Sequence, residues 1–214
     1  WTNEGNKISK SLGNVINPID VINEYGLDQI RYFLLREITF GNDGDFSIDA
    51  LKSRINADLS NALGNLCQRS LTMIVKHCNS IVPSGINITA NEKIFLSKIT
   101  KSLPELSLLV DKQEINIYIK KIWEIIAEAN KYFNDNKPWE LKDTNKKTFE
   151  NILYVTAEII KQLGIMIYPL MPDTSLKILN FFVLDDLDIS IELLKSNIEN
   201  KKINNIKPLF PRTN

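Results

Sequence analysis

The stretch Ile115-Asn116-Ile117-Tyr118-Ile119-Lys120-Lys121-Ile122-Trp123-Glu124-Ile125-Ile126-Ala127-Glu128-Ala129-Asn130-Lys131-Tyr132-Phe133 decides the fold. Ile115, Ile119, Ile122, Ile126, Ala129 and Phe133 recur at the spacing that stacks side chains on one face of an α-helix. Upstream, Leu59, Leu63, Leu66 and Met73 form a similar stripe that runs to about His77, and Pro83-Ser84-Gly85 ends that arm. Between the two stripes, Asn91 is expected to open a helix and Pro104 to kink or break it. Asp111 with Glu114 reads as a variant capping box ahead of the Ile-rich helix. Downstream, Asn136-Lys137-Pro138-Trp139 interrupts the pattern, and a helix is expected from about Asn145 to Tyr168. Pro169 and Pro172 separate that helix from a shorter one reaching about Val183. The remainder is weakly patterned and ends in Lys207-Pro208-Leu209-Phe210-Pro211-Arg212. The chain is therefore predicted to be mainly α, an antiparallel helical bundle.

The first residues read differently. Residues 1–16 are polar and punctuated by Gly5 and Gly13, the mark of a loop rather than a regular element. Asn17 then Pro18 is a helix start, and Gly26 sits where that helix needs a C-terminal cap. A second helix, about Leu27 to Arg36, puts Ile30, Phe33 and Leu34 on one side. Phe40-Gly41-Asn42-Asp43-Gly44-Asp45-Phe46 is rich in turn residues, and Ser47 can cap the element after it. This divides the chain into a small mixed segment, 1–47, and a helical domain, 48–214.

Composition narrows the function. The 214 residues are 43% hydrophobic and 24% charged, which excludes disordered and collagen-like chains. With 26 basic and 26 acidic residues the net charge is zero, so neither a general nucleic-acid coat nor a membrane-surface binder is expected; any nucleic-acid contact has to come from local patches and specific groups. No apolar run approaches the ~20 residues of a membrane span. Cys67 and Cys78 are too few for a disulfide framework or a Cys-based zinc site, which points to a reducing compartment. His77 is the only histidine, which argues against a histidine metal site and a Ser-His-Asp triad, so no metal ligands are assigned. Neither a signal nor a transit peptide is expected in these residues. It begins with Trp1, inside a motif, and reads as a piece of a larger protein.

Three groups of residues suit chemistry. Lys7-Ile8-Ser9-Lys10-Ser11 offers two ammonium groups interleaved with hydroxyls in a glycine-bounded loop, a set that suits a polyphosphate and the charge that develops on a departing pyrophosphate. By itself the pattern is more often a solvated basic loop. Asn61, Asn65 and Arg69 line one face of the first bundle helix over about 12 Å, room for two or three splayed bases. Carboxamides donate and accept together, as reading a base edge requires, though a solvated polar face has the same spacing. Pro138-Trp139 is a rigid turn presenting an indole, a platform for an unstacked base or a wedge between helices. Tyr118 and Trp123 are assigned to the core, and Asp43 and Asp45 to a capping or solvated turn. Asn87-Ile88-Thr89 is a sequon without meaning in a cytosolic protein. Lys142, Lys146 and Lys147 suit nucleic-acid phosphates or a solvated helix start equally.

The order of the motifs adds a resemblance. Trp1-Thr2-Asn3-Glu4-Gly5-Asn6-Lys7-Ile8-Ser9-Lys10-Ser11-Leu12-Gly13-Asn14 resembles the second signature, K-M-S-K-S, of class I aminoacyl-tRNA synthetases, in the setting it has in the methionyl branch of that family. Gly26-Leu27-Asp28-Gln29-Ile30-Arg31-Tyr32-Phe33-Leu34-Leu35-Arg36-Glu37 is similar to the family's G-A-D-A-L-R-Y-Y-L-L-R-E. Phe40-Gly41-Asn42-Asp43-Gly44-Asp45-Phe46-Ser47 is similar to F-G-x-D-G-D-F-S, and the likeness continues thinly to Leu209-Phe210-Pro211-Arg212. Ile8 replaces the usual Met and keeps the apolar anchor of the loop.

The resemblance implies a class I anticodon-binding domain behind a stem-contact segment. It also implies a cytoplasmic parent enzyme that activates methionine with ATP and Mg2+ and charges tRNA(Met), with no DNA or membrane partner. Lys7 and Lys10 are implied as catalytic, and Ser9 and Ser11 join them around the ATP phosphates. Asn61, Asn65, Arg69, Pro138 and Trp139 are implied to bind the CAU anticodon. The other signature, H-I-G-H, cannot come from His77 alone, so this piece is expected neither to make aminoacyl-adenylate by itself nor to hold ATP. Two other readings stay open: the equivalent piece of another class I synthetase, such as that for cysteine or isoleucine, and a non-catalytic helical interaction module.

Overall fold

The computed structural model describes residues 2–9, 11, 13–183, 189–204 and 206–213. Residues 2–7, expected to be loop, form a hairpin: strands β1 (Thr2–Asn3) and β2 (Asn6–Lys7) pair antiparallel. The joining residues Glu4 and Gly5 both have positive φ, 51° and 75°, which a tight two-residue hairpin turn needs. Strand β3 (Asp45–Phe46) adds to β1 in parallel, giving the sheet order β2-β1-β3. The Asp45 carboxylate closes this small sheet by accepting from Thr2 Oγ1 at 2.6 Å and Gly5 N at 2.8 Å. Those two hydrogen bonds hold its carboxyl below the usual carboxylate range.

Helices α1 (Pro18–Tyr25) and α2 (Leu27–Glu37) come next. Asn17 caps α1 as expected, its side chain accepting from Ile19 N. Gly26 ends α1 at φ 94°, a conformation open to glycine and costly for other residues. Three side chains of α2 bind this segment to the bundle. Buried Asp28 accepts from Thr174 N at 2.6 Å, Arg31 donates to the carbonyls of Pro169 and Leu170, and the Tyr32 hydroxyl donates to Asp58 at 2.8 Å. Phe33 meets Phe46 edge-on with ring centroids 5.6 Å apart.

The bundle begins with one long rod. Ser47 caps α3 (Ile48–Arg54), which passes into a ten-residue π-helical segment (Ile55–Gly64) and then into α4 (Asn65–His77) without leaving helical backbone angles. After the rod come α5 (Ala90–Leu96), α6 (Lys98–Asp111), α7 (Ile115–Asn136), the short α8 (Pro138–Leu141), α9 (Lys146–Met166) and α10 (Pro172–Asn180), then a 3₁₀ turn at Ile191–Lys195. No helix among the described residues is long and apolar enough to cross a membrane.

The apolar stripes meet along most of their predicted length, with Met73 and Ile115 only half-buried against the same core. Leu59, Leu63, Leu66, Ile119, Ile122, Ile126, Ala129 and Phe133 are all buried, each at no more than 1% exposure. At ~1.5–3 kcal/mol for a large apolar side chain, these residues dominate the stability of the bundle. Helix α9 is its axis, buried on every side from Ile152 to Met166 apart from Tyr154. Tyr118 is buried, its hydroxyl donating to the Met166 carbonyl, and half-buried Trp123 donates to the Asp58 carbonyl and lies 4.5 Å from the Tyr32 ring.

Several boundary expectations are corrected. Thr89, not Asn91, opens α5: its hydroxyl accepts from Glu92 N while the Glu92 carboxylate accepts from Thr89 N, a full capping box. Pro104 does not break α6. Both Pro104 and Thr100, whose carbonyl loses its helical N–H partner, are exposed, so water can serve that carbonyl. Asp111 and Glu114 form no capping box. Asp111 ends α6, and a turn with Gln113 at φ 60° leads to Glu114, whose side chain caps nothing. Asn145 does cap α9 through Thr148 N, but α9 stops at Met166 and α10 at Asn180.

Candidate nucleic-acid interface

The sequence places Trp139 after a proline, and the fold uses that proline as an anchor. Lys137 turns the chain with left-handed angles (φ 42°, ψ 59°), Pro138 is buried, and Trp139 is left 40% exposed on the short helix α8. Across from it stands Arg69 of α4. Its guanidinium carbon lies 5.4 Å from the Trp139 ring centre and 5.2 Å from that of Phe133, while Nη1 donates to Asn134 Oδ1 at 2.8 Å. A cation over an indole is attracted to the ring face, so three side chains from α7 and α8 hold Arg69 beside the exposed indole. Arg69 and Trp139, about seventy residues apart, make one corner.

Asn61 and Asn65 occupy the neighbouring stretch of the same rod, and both are exposed. The two are divided by the end of the π-helical segment, so the face is not the straight α-helical row that the sequence suggests. In a π-helix, hydrogen bonds reach one residue further and a residue four places back no longer falls in line. Instead Asn61, Gly64, Asn65 and Gln68 form one wall of a cleft of about 240 Å3 whose other wall is Pro208, Leu209, Phe210 and Arg212. This tail is fastened to the rod. Asn56 pairs with the Thr213 backbone in both directions, at 2.9 and 3.0 Å, and Phe210 is buried 3.5 Å from where a Cβ on Gly64 would stand. Arg212 donates to Asn61 Oδ1 at 3.0 Å. The Asn65 side chain makes no hydrogen bond among the described residues, so its amide is available to a ligand.

The candidate phosphate loop is held by a residue to which its sequence assigns no role. Asn14 accepts from Ser9 N at 2.9 Å and donates to the Lys7 carbonyl at 3.0 Å, while Asn3 donates to the Asn14 carbonyl. One carboxamide thus closes the loop across its base. The Ser9 and Ser11 hydroxyl oxygens stand 3.2 Å apart, and Lys7 is exposed. Lys10 lies outside the described residues. In Asn14→Ala the Ser9 amide is expected to lose its protection from hydrogen exchange while amides of α9 keep theirs; unchanged protection at Ser9 would refute the clip.

Asn14, Asn134 and Arg212 are therefore the site residues that motif reading missed. Asn14 and Arg212 stand inside quoted blocks, and Asn134 lies one turn past Asn130, but nothing local marks any of them as a partner.

A family model described as the anticodon-binding domain of methionyl tRNA ligase matches residues 82–199, more than half of the chain. The chain belongs to the methionyl-tRNA ligase family. A second model, described as class I tRNA synthetases (M), matches residues 1–71, the part with the signature loop, the sheet and most of the rod. Among relatives, the methionine–tRNA ligase of Brucella suis biovar 1 (strain 1330) is 43% identical over 178 residues, 83% of this chain and 35% of that protein. That of Rickettsia conorii (strain ATCC VR-613 / Malish 7) is 43% identical over 183 residues, 84% and 36% respectively. The chain thus spans about a third of the length of these methionyl-tRNA ligases. The Mycobacterium tuberculosis methionyl-tRNA synthetase in complex with methionyl-adenylate superposes with a TM-score of 0.93 at 33% identity, covering 99% of this chain and 43% of that one.

Proposed function

We propose that this chain supplies the anticodon-reading bundle and the second signature loop of an ATP-dependent methionine–tRNA ligase acting in the cytoplasm. The observation that carries the reading is the corner of Trp139 and Arg69 beside the exposed amides of Asn61 and Asn65. A base lifted from the anticodon loop stacks on the indole, and the carboxamides in the cleft read its neighbours by paired donors and acceptors. The cleft is too small for a duplex and its polar lining suits single bases. Both thiols fit a reducing compartment: burial pushes Cys67 up to about 12 and Cys78 up to about 11, so neither is poised to react.

Residues 1–47 serve as the end of the catalytic half and residues 48–214 as the anticodon domain. Asp28, Arg31 and Tyr32 transmit the orientation of one to the other. In the parent enzyme Lys7 and Lys10 neutralise the triphosphate of ATP, which arrives with Mg2+, and stabilise the departing pyrophosphate; Ser9 and Ser11 shape the loop around it.

Two experiments test the reading on the full-length enzyme. Transcripts of tRNA(Met) altered at single bases of CAU are expected to bind about tenfold or more weakly, given ~1–3 kcal/mol per stacked or paired base. Equal binding of all anticodons would refute the decoder, and preference for another anticodon would hand the chain to another class I synthetase. Lys10→Ala is expected to slow ATP–pyrophosphate exchange about a hundredfold, the scale of losing one preorganised charge partner of the transition state; unchanged exchange would remove the loop from the chemistry.

A further inference from the structure

On the other side of the Pro208–Leu209 wall lies a second groove of about 470 Å3. It is lined by Lys177 and Asn180 of α10, by Phe181, and by Asn204, Lys207, Pro208 and Leu209 of the tail. Among its lining residues two are cations and none is a carboxylate. Both lysines are exposed and neither is in an ion pair among the described residues, although eight of the other lysines are. In a chain of zero net charge, two ammonium groups on one groove whose described lining holds no carboxylate are a local excess of positive charge.

The groove is rigid where it needs to be. Asn204 donates through its side chain to the Asn180 carbonyl at 2.8 Å and through its backbone to the Phe181 carbonyl at 2.9 Å, which fixes the tail against the end of α10. The tail then passes between the two clefts: Pro208 and Leu209 line both. From Lys207 to Arg212 the chain is only five residues, at most about 17 Å even if fully extended. The polar cleft holding Asn61, Asn65 and Arg212 and the basic groove holding Lys177 and Lys207 are thus neighbours on one surface.

We infer that Lys177 and Lys207 form a phosphate-binding groove that takes the RNA backbone where it leaves the anticodon-reading cleft. This rests on the RNA-binding reading proposed for that cleft and extends it. Compact ammonium groups give charge without a base preference, so the groove adds affinity and orientation and no sequence information.

The test uses the full-length enzyme with Lys177→Ala and Lys207→Ala combined, and measures binding of tRNA(Met) transcript over a range of salt concentrations. Loss of two phosphate contacts is expected to reduce the slope of log affinity against log salt by about 1.4–1.8. Affinity at low salt falls several-fold, and the ratio between matched and mismatched anticodons is preserved. Because both side chains are exposed, the melting curve stays that of wild type. A control pair, Lys101→Ala with Lys112→Ala on α6 and its C-terminal cap, removes the same charge outside this groove and is expected to leave the slope nearly unchanged. The inference is overturned if the double variant keeps the wild-type slope, if the control pair lowers the slope equally, or if anticodon discrimination collapses with affinity. Failure of the underlying reading shows separately, as absence of anticodon dependence in the wild-type enzyme, and takes the groove with it.

Discussion

Trp139→Ala in the full-length enzyme is expected to lower tRNA charging about tenfold to a hundredfold while ATP–pyrophosphate exchange stays near its wild-type rate. The size reflects the ~1–3 kcal/mol of a base stacked on an aromatic ring. The selectivity comes from position: the indole is exposed on α8, and α8 packs on α9 and the Phe133–Arg69 corner. Trp139→Phe keeps a smaller stacking face and should recover part of the loss, which a merely packing role for the ring would not produce in tRNA affinity. The truncated variant also releases Arg69 from one of its two ring partners, so Arg69 should keep its place through Asn134 and Phe133. Equal damage to charging and exchange would locate the effect in folding instead of decoding.

The second large effect concerns stability. Lys161 is fully buried in α9, its ammonium 2.6 Å from Glu158 and donating to the carbonyls of Leu194 and Ser196. This buried pair ties the axis of the bundle to the 3₁₀ turn itself, through Leu194, and to Ser196 just after it. Lys161→Ala leaves the Glu158 carboxylate buried without its counter-charge, and its second oxygen already has no hydrogen-bond partner among the described residues. The expected cost is about 3–5 kcal/mol, a large share of the ~5–15 kcal/mol that holds a domain together. Denaturant unfolding should show the midpoint falling accordingly. The paired change Glu158→Gln with Lys161→Met removes both charges and should recover most of the loss. A single variant as stable as wild type would mean that the pair is solvated and the network unimportant.

The contrast between these two residues shows what the sequence discloses. Trp139 is legible because a proline, a break in helical periodicity and an aromatic residue coincide at one point. Asn17, Ser47 and Asn145 are legible for a related reason: a cap is a local bond, complete within three residues. Thr89 is the instructive miss, since Thr89-Ala90-Asn91-Glu92 carries the whole capping-box signature while Asn91 competes as a cap on residue type alone. Glu158 and Lys161 look like any surface pair three residues apart; only a helix surrounded on all sides turns them inward, and burial on all sides erases the periodicity that would have announced it. The π-helical segment is invisible for the opposite reason: Leu59 and Leu63 fit an α-helix equally well, and nothing in the local pattern marks the wider turn. Arg212 on Asn61, and Arg31 on Pro169, join residues well over a hundred positions apart. Such partners are set by the topology of the bundle, which no window of sequence contains.

The docking of residues 208–213 along the rod has a consequence for anything joined beyond them. The chain leaves the bundle beside Asn56 and Asn61, on the flank where RNA is proposed to lie. A module tethered there would be delivered next to the nucleic acid, with a local concentration set by the linker and not by diffusion, so that a weak, unselective RNA binder fused at this point would raise overall avidity without one new contact in the decoding cleft.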